Sequence, residues 1–477
     1  MAQPSTSART ESSAQPESAA QPSVTETRAS EDQIAEGRRA YELDRQHVFH
    51  SWGAQEKLSP MTIVDSQGSW VWDGEGKPLL DLTGQLVFTN IGHRHPKVVA
   101  AIQEQAQKLC TVAPQHANAA RSEAARLITE LLSDDLNHVF FTNGGADANE
   151  HAVRMARLYT GRHKVLSAYR SYHGGTHLAI NMTGDPRRFA SDKATDGVVH
   201  FLPAYPYRSY FGSQNDAEEA ERALNHLRDV IQLEGPHTVG ALILEAIPGT
   251  AGIYAPPKEY VTGVRELCDE YGIVLIMDEV MAGFGRSGRW FAHQHYGIDP
   301  DIVTFAKGVN SGYVPLGGVV MDDDIYARFA EQPYPGGLTY SGHPLATAAA
   351  VATINAMHDE QMVEHAARIG EEVIGPRLQQ IKERHPSVGD VRGTGVFWAI
   401  ELVKDRQTRE PLSEYGQVPA VSSEIVAFAR ERFVLPYPNM NRLHICPPLN
   451  VSEEDIRYGL DVLDEALDLA DRVVAEG

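Results

Sequence analysis

The sequence predicts an α/β fold: a large lobe built on a mostly parallel sheet, joined to a smaller α+β lobe. Three observations carry this expectation. Between about residues 138 and 307, apolar runs of strand length alternate with helical patterns. After about residue 340 the rhythm changes, and long helical patterns frame strand-like stretches. The chain of 477 residues, 42% of them hydrophobic, is also long enough to bury more than one core.

Taken in order, residues 1–33 are mainly Ser, Thr, Ala, Gln, Pro and Glu, and Ile34 is the first Leu, Ile, Phe, Trp or Tyr. Such a segment cannot offset its ordering entropy by burial, so it reads as a disordered tail. Its acids Glu11, Glu17 and Glu26 argue against an organelle transit peptide, and it lacks the basic-then-apolar layout of a secretion signal. Residues 34–85 contain "MTIVDSQGSWVWDGEGKPLLDL", with turn signals at Gly68 and at Gly74–Gly76. They are assigned to the smaller lobe, together with residues 339–477.

Residues 86–338 form the large lobe. "HVFFT" reads as a buried strand. "GADANEHAVRMARLYTG" reads as a helix with Ala152, Met155, Ala156 and Tyr159 on one face and Gly161 as its stop. "KVLSAY" and "VGALILEAI" are strand-like, and "PKEYVTGVRELCDEYG" is a helix from Pro257 to Gly272. "IVLIMDE" and "DIVTFAK" are two further apolar strands. Continuously apolar strands separated by helices need cover on both faces, which is the signature of a parallel sheet. In the last part, "HPLATAAAVATINAMHDE" is helical, and "VRGTGVFWAIELV" and "RLHICPP" are strand-like.

The formal net charge of −22 sets aside nucleic acid and anionic membrane as partners. No apolar run is long enough to span a bilayer. The three cysteines, Cys110, Cys268 and Cys446, are few, far apart and odd in number, which predicts reduced thiols and a cytoplasmic location.

Ligands of parallel sheets bind beyond the C-terminal ends of the strands. Asp278 ends one apolar strand and Lys307 another, so both face one crevice. Burial lowers the pKa of a lysine, and a neutral amine attacks carbonyls; the bland alternative is a lysine that snorkels from a strand end. "TNGGADANE" sets two glycines before a helix, either an anion site or an ordinary turn. "SYHGG" places an aromatic ring at another strand exit, either against a planar ligand or in the core. "GFGRSG" matches a dinucleotide fingerprint, but too many residues separate it from its strand for a cradle that opens a helix at the strand end. His93 and His95 in "GHRHP" lack a ligand cluster at metal spacing and read as a structured turn, so no metal is expected.

Eight stretches in order resemble the class III (omega) aminotransferases, enzymes of fold type I that use pyridoxal 5′-phosphate. They are "NIGHRHP", "FFTNGGADANEHAVRMAR", "YRSYHGGT", "LILEAIPGTAGI", "LIMDEVMAGFGRSGRWFA", "VTFAKGVNSGYVPLGGV", "GGLTYSGHPLA" and "VRGTGVFWAIEL". The resemblance runs from about Glu36 to Val474. It implies that Lys307 holds the cofactor covalently and shuttles protons, and that Asp278 pairs with the pyridine nitrogen. Gly144, Gly145 and Ala146 match the phosphate turn, with Gly-Gly-Ala-Asp where the family usually has Ser-Gly-Ala-Glu; a hydroxyl contact at 144 is thereby lost. Tyr172 matches the aromatic on one ring face, followed by His173, and Val280 the residue on the other face. Glu245 matches a glutamate near the cofactor. Thr339 matches a threonine that reaches the phosphate of the neighbouring subunit, which implies a homodimer with shared sites.

The implied reaction takes an amine donor and a 2-oxo acid acceptor, pyruvate or 2-oxoglutarate. Ornithine- and GABA-type members usually carry a second glutamate where this chain has Thr250, and an arginine near where it has His444. The nearest arginine is Arg442, which either binds the substrate anion from a displaced position or pairs with an acid. The wording of "YRSYHGGT", "TGDPRR" and "GLTYSGHPLA" is most similar to taurine-type members, and Trp52 is either a wall of the donor pocket or lobe packing. The leading expectation is a taurine or omega-amino-acid aminotransferase. The alternatives are a beta-alanine, GABA or amine–pyruvate transaminase, an aminomutase of the same fold, and a non-catalytic pyridoxal-phosphate sensor.

Overall fold

The computed structural model describes residues 23–26, 28–191 and 197–476. Residues 1–22, most of the expected tail, lie outside the described residues. The rest of that stretch corrects the expectation, because a helix already starts at Glu31. Ser30 caps it: its Oγ accepts the Gln33 N–H at 3.2 Å, while Gln33 Oε1 accepts the Ser30 N–H at 2.8 Å. Further upstream, Ser23 Oγ donates to Asp455 at 2.5 Å, and the Trp72 indole donates to the Glu26 carbonyl at 3.2 Å. Polar anchoring thus orders a segment too poor in large apolar residues to order itself.

Three short antiparallel strands follow, β1 (Ile63–Gln67), β2 (Trp70–Asp73) and β3 (Pro78–Asp81). The large sheet contains β4 (His138–Thr142), β5 (Lys164–Ala168), β6 (Val198–Phe201), β7 (Val239–Leu244), β8 (Val274–Asp278), β9 (Ile302–Phe305) and β10 (Gly317–Met321). Its order is β4-β10-β9-β8-β7-β5-β6. Strands β6, β5, β7, β8 and β9 run parallel, and β10 runs antiparallel to both β4 and β9. Every residue of β7, β8, β9 and β10 is buried, as a sheet covered on both faces requires. The sequence pattern did not single out β6 or β10; each is only four or five residues long, and β10 begins with two glycines.

The helix Gly145–Thr160 covers the central strands with Ala152, Met155 and Ala156 buried, and Gly161 closes it in a left-handed conformation. Tyr159, expected on the same face, is 40% exposed in its last turn. The second lobe is built on β11 (Val388–Thr394), β12 (Phe397–Asp405), β13 (Glu410–Pro411), β14 (Val434–Leu435), β15 (Tyr437–Asn439) and β16 (Arg442–Ile445). Strands β11, β12, β16 and β15 form an antiparallel sheet, while β14 leaves it to pair in parallel with β3. The N-terminal strands and the C-terminal segment therefore share a sheet.

The glycine loop after β8 is structural. No helix begins in it. Arg286 is completely buried and donates to the carbonyls of Val396 and Pro447 and to Asn90 Oδ1. Gly288 is left-handed, and a Cβ there would lie 3.0 Å from Ala367. The loop ties the large sheet to the second lobe and does not cradle a nucleotide.

Candidate active site

At the C-terminal ends of the parallel strands lies a cavity of about 380 Å³. Lys307, Asp278, Gly144, Gly145, Ala146, Tyr172, His173, Glu245 and Val280 all line it, each at the end of a strand or in the turn or helix start that follows one. Nine of the residues that the sequence singles out are thus brought together from five strand ends.

Asp278, the last residue of β8, is 3% exposed. Its Oδ2 lies 2.7 Å from His173 Nδ1 and accepts the Asn149 amide at 2.8 Å, and its Oδ1 accepts the Val280 N–H at 3.0 Å. An ionised carboxylate has about four acceptor positions, so one remains on this buried group. Asn149 braces the arrangement by also donating to the His173 carbonyl at 2.8 Å and accepting the Thr304 hydroxyl at 2.7 Å. His173 Nε2 is buried with no partner among the described residues.

Lys307 follows β9 with a left-handed backbone, φ 45°, a conformation that costs a non-glycine residue about 1–3 kcal/mol and clusters at functional sites. Burial pulls its ammonium down to about 8, against the opposing pull of Asp278 and Glu245. Glu245 Oε1 accepts the Tyr172 N–H and Oε2 the Gly249 N–H, both at 3.0 Å, which locks two strand exits together. Burial raises the Glu245 carboxyl, and Asp278 adds to the effect.

The helix Gly145–Thr160 starts at this cavity, and no side chain caps it. Its first N–H groups are therefore available to an anion. A Cβ at Gly145 would sit 2.8 Å from Val280, so only glycine lets the turn approach that wall. At Gly144 a Cβ would meet nothing within 4 Å. A serine would fit there, so the departure from the usual motif changes hydrogen bonding and not space.

A wider cavity of about 780 Å³ opens against the same Tyr172, Gly175 and Thr250 and forms the mouth of the site. Trp52 lines it, 69% exposed and left-handed at φ 62°. Arg187, not anticipated from the sequence, lines it too, with its guanidinium carbon 3.5 Å from the Tyr172 ring centre. Thr339 is exposed and lines neither cavity. Arg442 is 3% exposed and does not reach either cavity. It donates to the carbonyls of Thr250 and Ala251, both at 3.0 Å, and to Asn439 at 2.9 Å, so its guanidinium supports the turn behind the site. Burial also strips His444 beside it of basicity.

The aminotransferase class-III family model matches residues 52–467. The chain is a class III aminotransferase. Among its relatives, the taurine–pyruvate aminotransferase of Rhodobacter capsulatus is 34% identical over 450 residues, spanning 89% of this chain and 95% of the relative. The solved taurine:2-oxoglutarate aminotransferase of Bifidobacterium kashiwanohense, in complex with PLP and glutamate, superposes with a TM-score of 0.88 at 40% identity, covering 91% and 98% of the two chains. An (S)-enantioselective omega-transaminase from Thermomicrobium roseum gives a TM-score of 0.84 at 34% identity, covering 92% and 98%.

This aminotransferase has fold type I and uses pyridoxal phosphate to move an amino group from an amine donor to a 2-oxo acid. Its cavity fits that cofactor on its own chemistry. The uncapped helix start suits a phosphate, the acceptor position on Asp278 suits a protonated ring nitrogen, and Tyr172 and Val280 offer two walls for a ring. The amine of Lys307, weakened as a base, suits attachment to an aldehyde.

Proposed function

We propose that this aminotransferase takes an omega-amino acid of the taurine type as donor and pyruvate or 2-oxoglutarate as acceptor, at the cavity between Lys307 and Asp278. The observation that carries the reading is the placement of buried Lys307 and Asp278 on one cavity at adjacent strand ends, and the similarity to taurine aminotransferases supports the donor class.

When bound, the cofactor supplies an electron sink for the pair released as the amine carbon loses its proton. Lys307 would anchor it through Nζ, and the same Nζ would carry the proton that leaves the amine carbon. Asp278, its Oδ2 fixed by His173 and Asn149, would hold the proton of the ring nitrogen. The N–H groups of Gly145 and Ala146, with Gly144 leaving room, receive the phosphate. Tyr172 and Val280 hold the ring plane, and Glu245 fixes the Tyr172 backbone. Trp52 forms a wall of the donor mouth.

The working unit in this reading is a homodimer in the cytoplasm. Thr339, exposed and lining neither cavity, serves the partner's phosphate in this reading. Phe49, Trp52, Leu86 and Tyr340 are large apolar side chains exposed on one chain, as residues covered by a partner would be. Three unpaired cysteines, two of them buried, support a reducing compartment. No described helix is long and apolar enough to cross a membrane. The pairing of β14 with β3 supports a small lobe made from residues 34–85 and 339–477 around a large lobe of residues 86–338.

A donor panel of taurine, beta-alanine, GABA and a simple neutral amine, each with pyruvate and with 2-oxoglutarate, tests the reading. It predicts the highest kcat/KM with a short omega-amino acid. A clear preference for the neutral amine contradicts it.

A further inference from the structure

The donor reading leaves open what holds the acidic end of an omega-amino acid. Among the described residues, Lys307 is the only lysine or arginine lining the inner cavity, and Arg187 the only one lining its mouth. The other nearby cations are turned elsewhere. Arg442 and Arg170 both donate to the Ala251 carbonyl and line another cavity, which meets the mouth at Met440 but includes none of the residues around Lys307.

Arg187 is built to present one edge. It sits in the short 3-10 turn Pro186–Arg188 and is stacked on Tyr172. Asp185, 1% exposed, accepts its Nε–H at 2.9 and 3.1 Å and its Nη2, and also accepts the Arg187 backbone N–H at 2.9 Å. Nη1 has no partner among the described residues, and the side chain stays 33% exposed. One edge of the guanidinium is thus clamped, while the other, beside the cavity mouth, meets no partner among the described residues. Planar guanidinium donors held in this way suit carboxylate and sulfonate oxygens. Arg187 is also near enough for its charge to help lower Lys307.

We infer that Arg187, fixed by Asp185 and Tyr172, is the specificity residue that binds the sulfonate or carboxylate of the donor at the mouth of the site. The inference rests on the proposed donor class. A neutral amine presents nothing to this guanidinium, whereas an acidic donor gains a charge-assisted hydrogen bond and is held with its amino group toward Lys307.

The test compares the parent, Arg187→Gln and Arg187→Lys in two measurements. The first is the ratio of kcat/KM for taurine to that for a simple neutral amine. The second is inhibition of neutral-amine turnover by ethanesulfonate, which has no amino group to react. Loss of one such bond predicts a fall of about 10- to 100-fold in the ratio for Arg187→Gln, carried mainly by KM, and a similar rise in the ethanesulfonate inhibition constant. Arg187→Lys restores part of both. A ratio and an inhibition constant within twofold of the parent overturn the inference. If the parent turns over the neutral amine but neither taurine nor beta-alanine, the donor reading fails, and the dependence of ethanesulfonate inhibition on Arg187 still decides the inference.

Discussion

His173 Nδ1 lies 2.7 Å from Asp278 Oδ2, and both side chains are almost wholly buried. The contact spends one carboxylate oxygen on protein donors and leaves acceptor capacity on the other. Asp278→Asn keeps the shape and removes the charge, so the ring nitrogen loses the partner that holds its proton. The amine half-reaction should slow by roughly 100-fold or more while the cofactor still binds. Single-turnover absorbance at saturating cofactor measures this; a fully loaded variant within a few-fold of the parent makes Asp278 structural.

Lys307 sets a pH dependence for cofactor loading. Its folded pKa is lowered from 10.5 to about 8, so the neutral, reactive amine dominates above about 8. The rate at which the cofactor-free protein attaches pyridoxal phosphate should rise with pH up to about 8 and then level off. A rate that keeps climbing toward the ordinary lysine range would show that burial does not weaken this amine.

Shared sites predict complementation. Thr339→Ala should weaken cofactor binding, and Lys307→Ala should abolish turnover. A mixed dimer has one site with both lesions and one with neither, so activity should return on mixing. Absence of recovery despite demonstrated subunit exchange counts against Thr339 serving the partner.

Far from the site, His385 is wedged between Asp464 Oδ1 at 2.8 Å and Asp471 Oδ2 at 2.7 Å, pinning the C-terminal helix Glu453–Glu476. Burial works against its charged form, but the bonds to Asp464 and Asp471 prevail and raise its pKa above 6.5. Its contribution to stability is therefore full below 6.5 and lost as pH rises through the folded pKa. Asp464, held down at about 2, contributes above 3.8 and loses that contribution only as pH falls toward 2. The Tm difference between the parent and His385→Gln should be widest near about pH 6 and narrow toward about pH 9, as thermal melts would show. A gap that widens with pH refutes the assignment.

The parallel core was legible because β7, β8 and β9 are buried on both faces and so read as continuous apolar runs. Lys307 and Asp278 stood out as charges closing such runs. Asn149 did not, although a polar residue on the helix face that buries Ala148, Ala152 and Met155 was a usable signal. Arg187 lay within the taurine-like "TGDPRR", but nothing there marked it out, because its role depends on a turn that brings it over Tyr172 from fifteen positions away. The direction of Arg442 was also beyond the sequence: a strand fixes which residues share a face, but the carbonyls of Thr250 and Ala251 decide what that face meets.

The central claim is tested most directly by mixing the pyridoxal-phosphate-loaded protein with taurine in the absence of a 2-oxo acid. The account predicts that the visible absorbance of the aldehyde form converts to that of the amine form, that pyruvate or 2-oxoglutarate restores it, and that Lys307→Ala does neither at a comparable rate. An unchanged spectrum with taurine and beta-alanine, under conditions where a neutral amine converts it fully, would contradict the account.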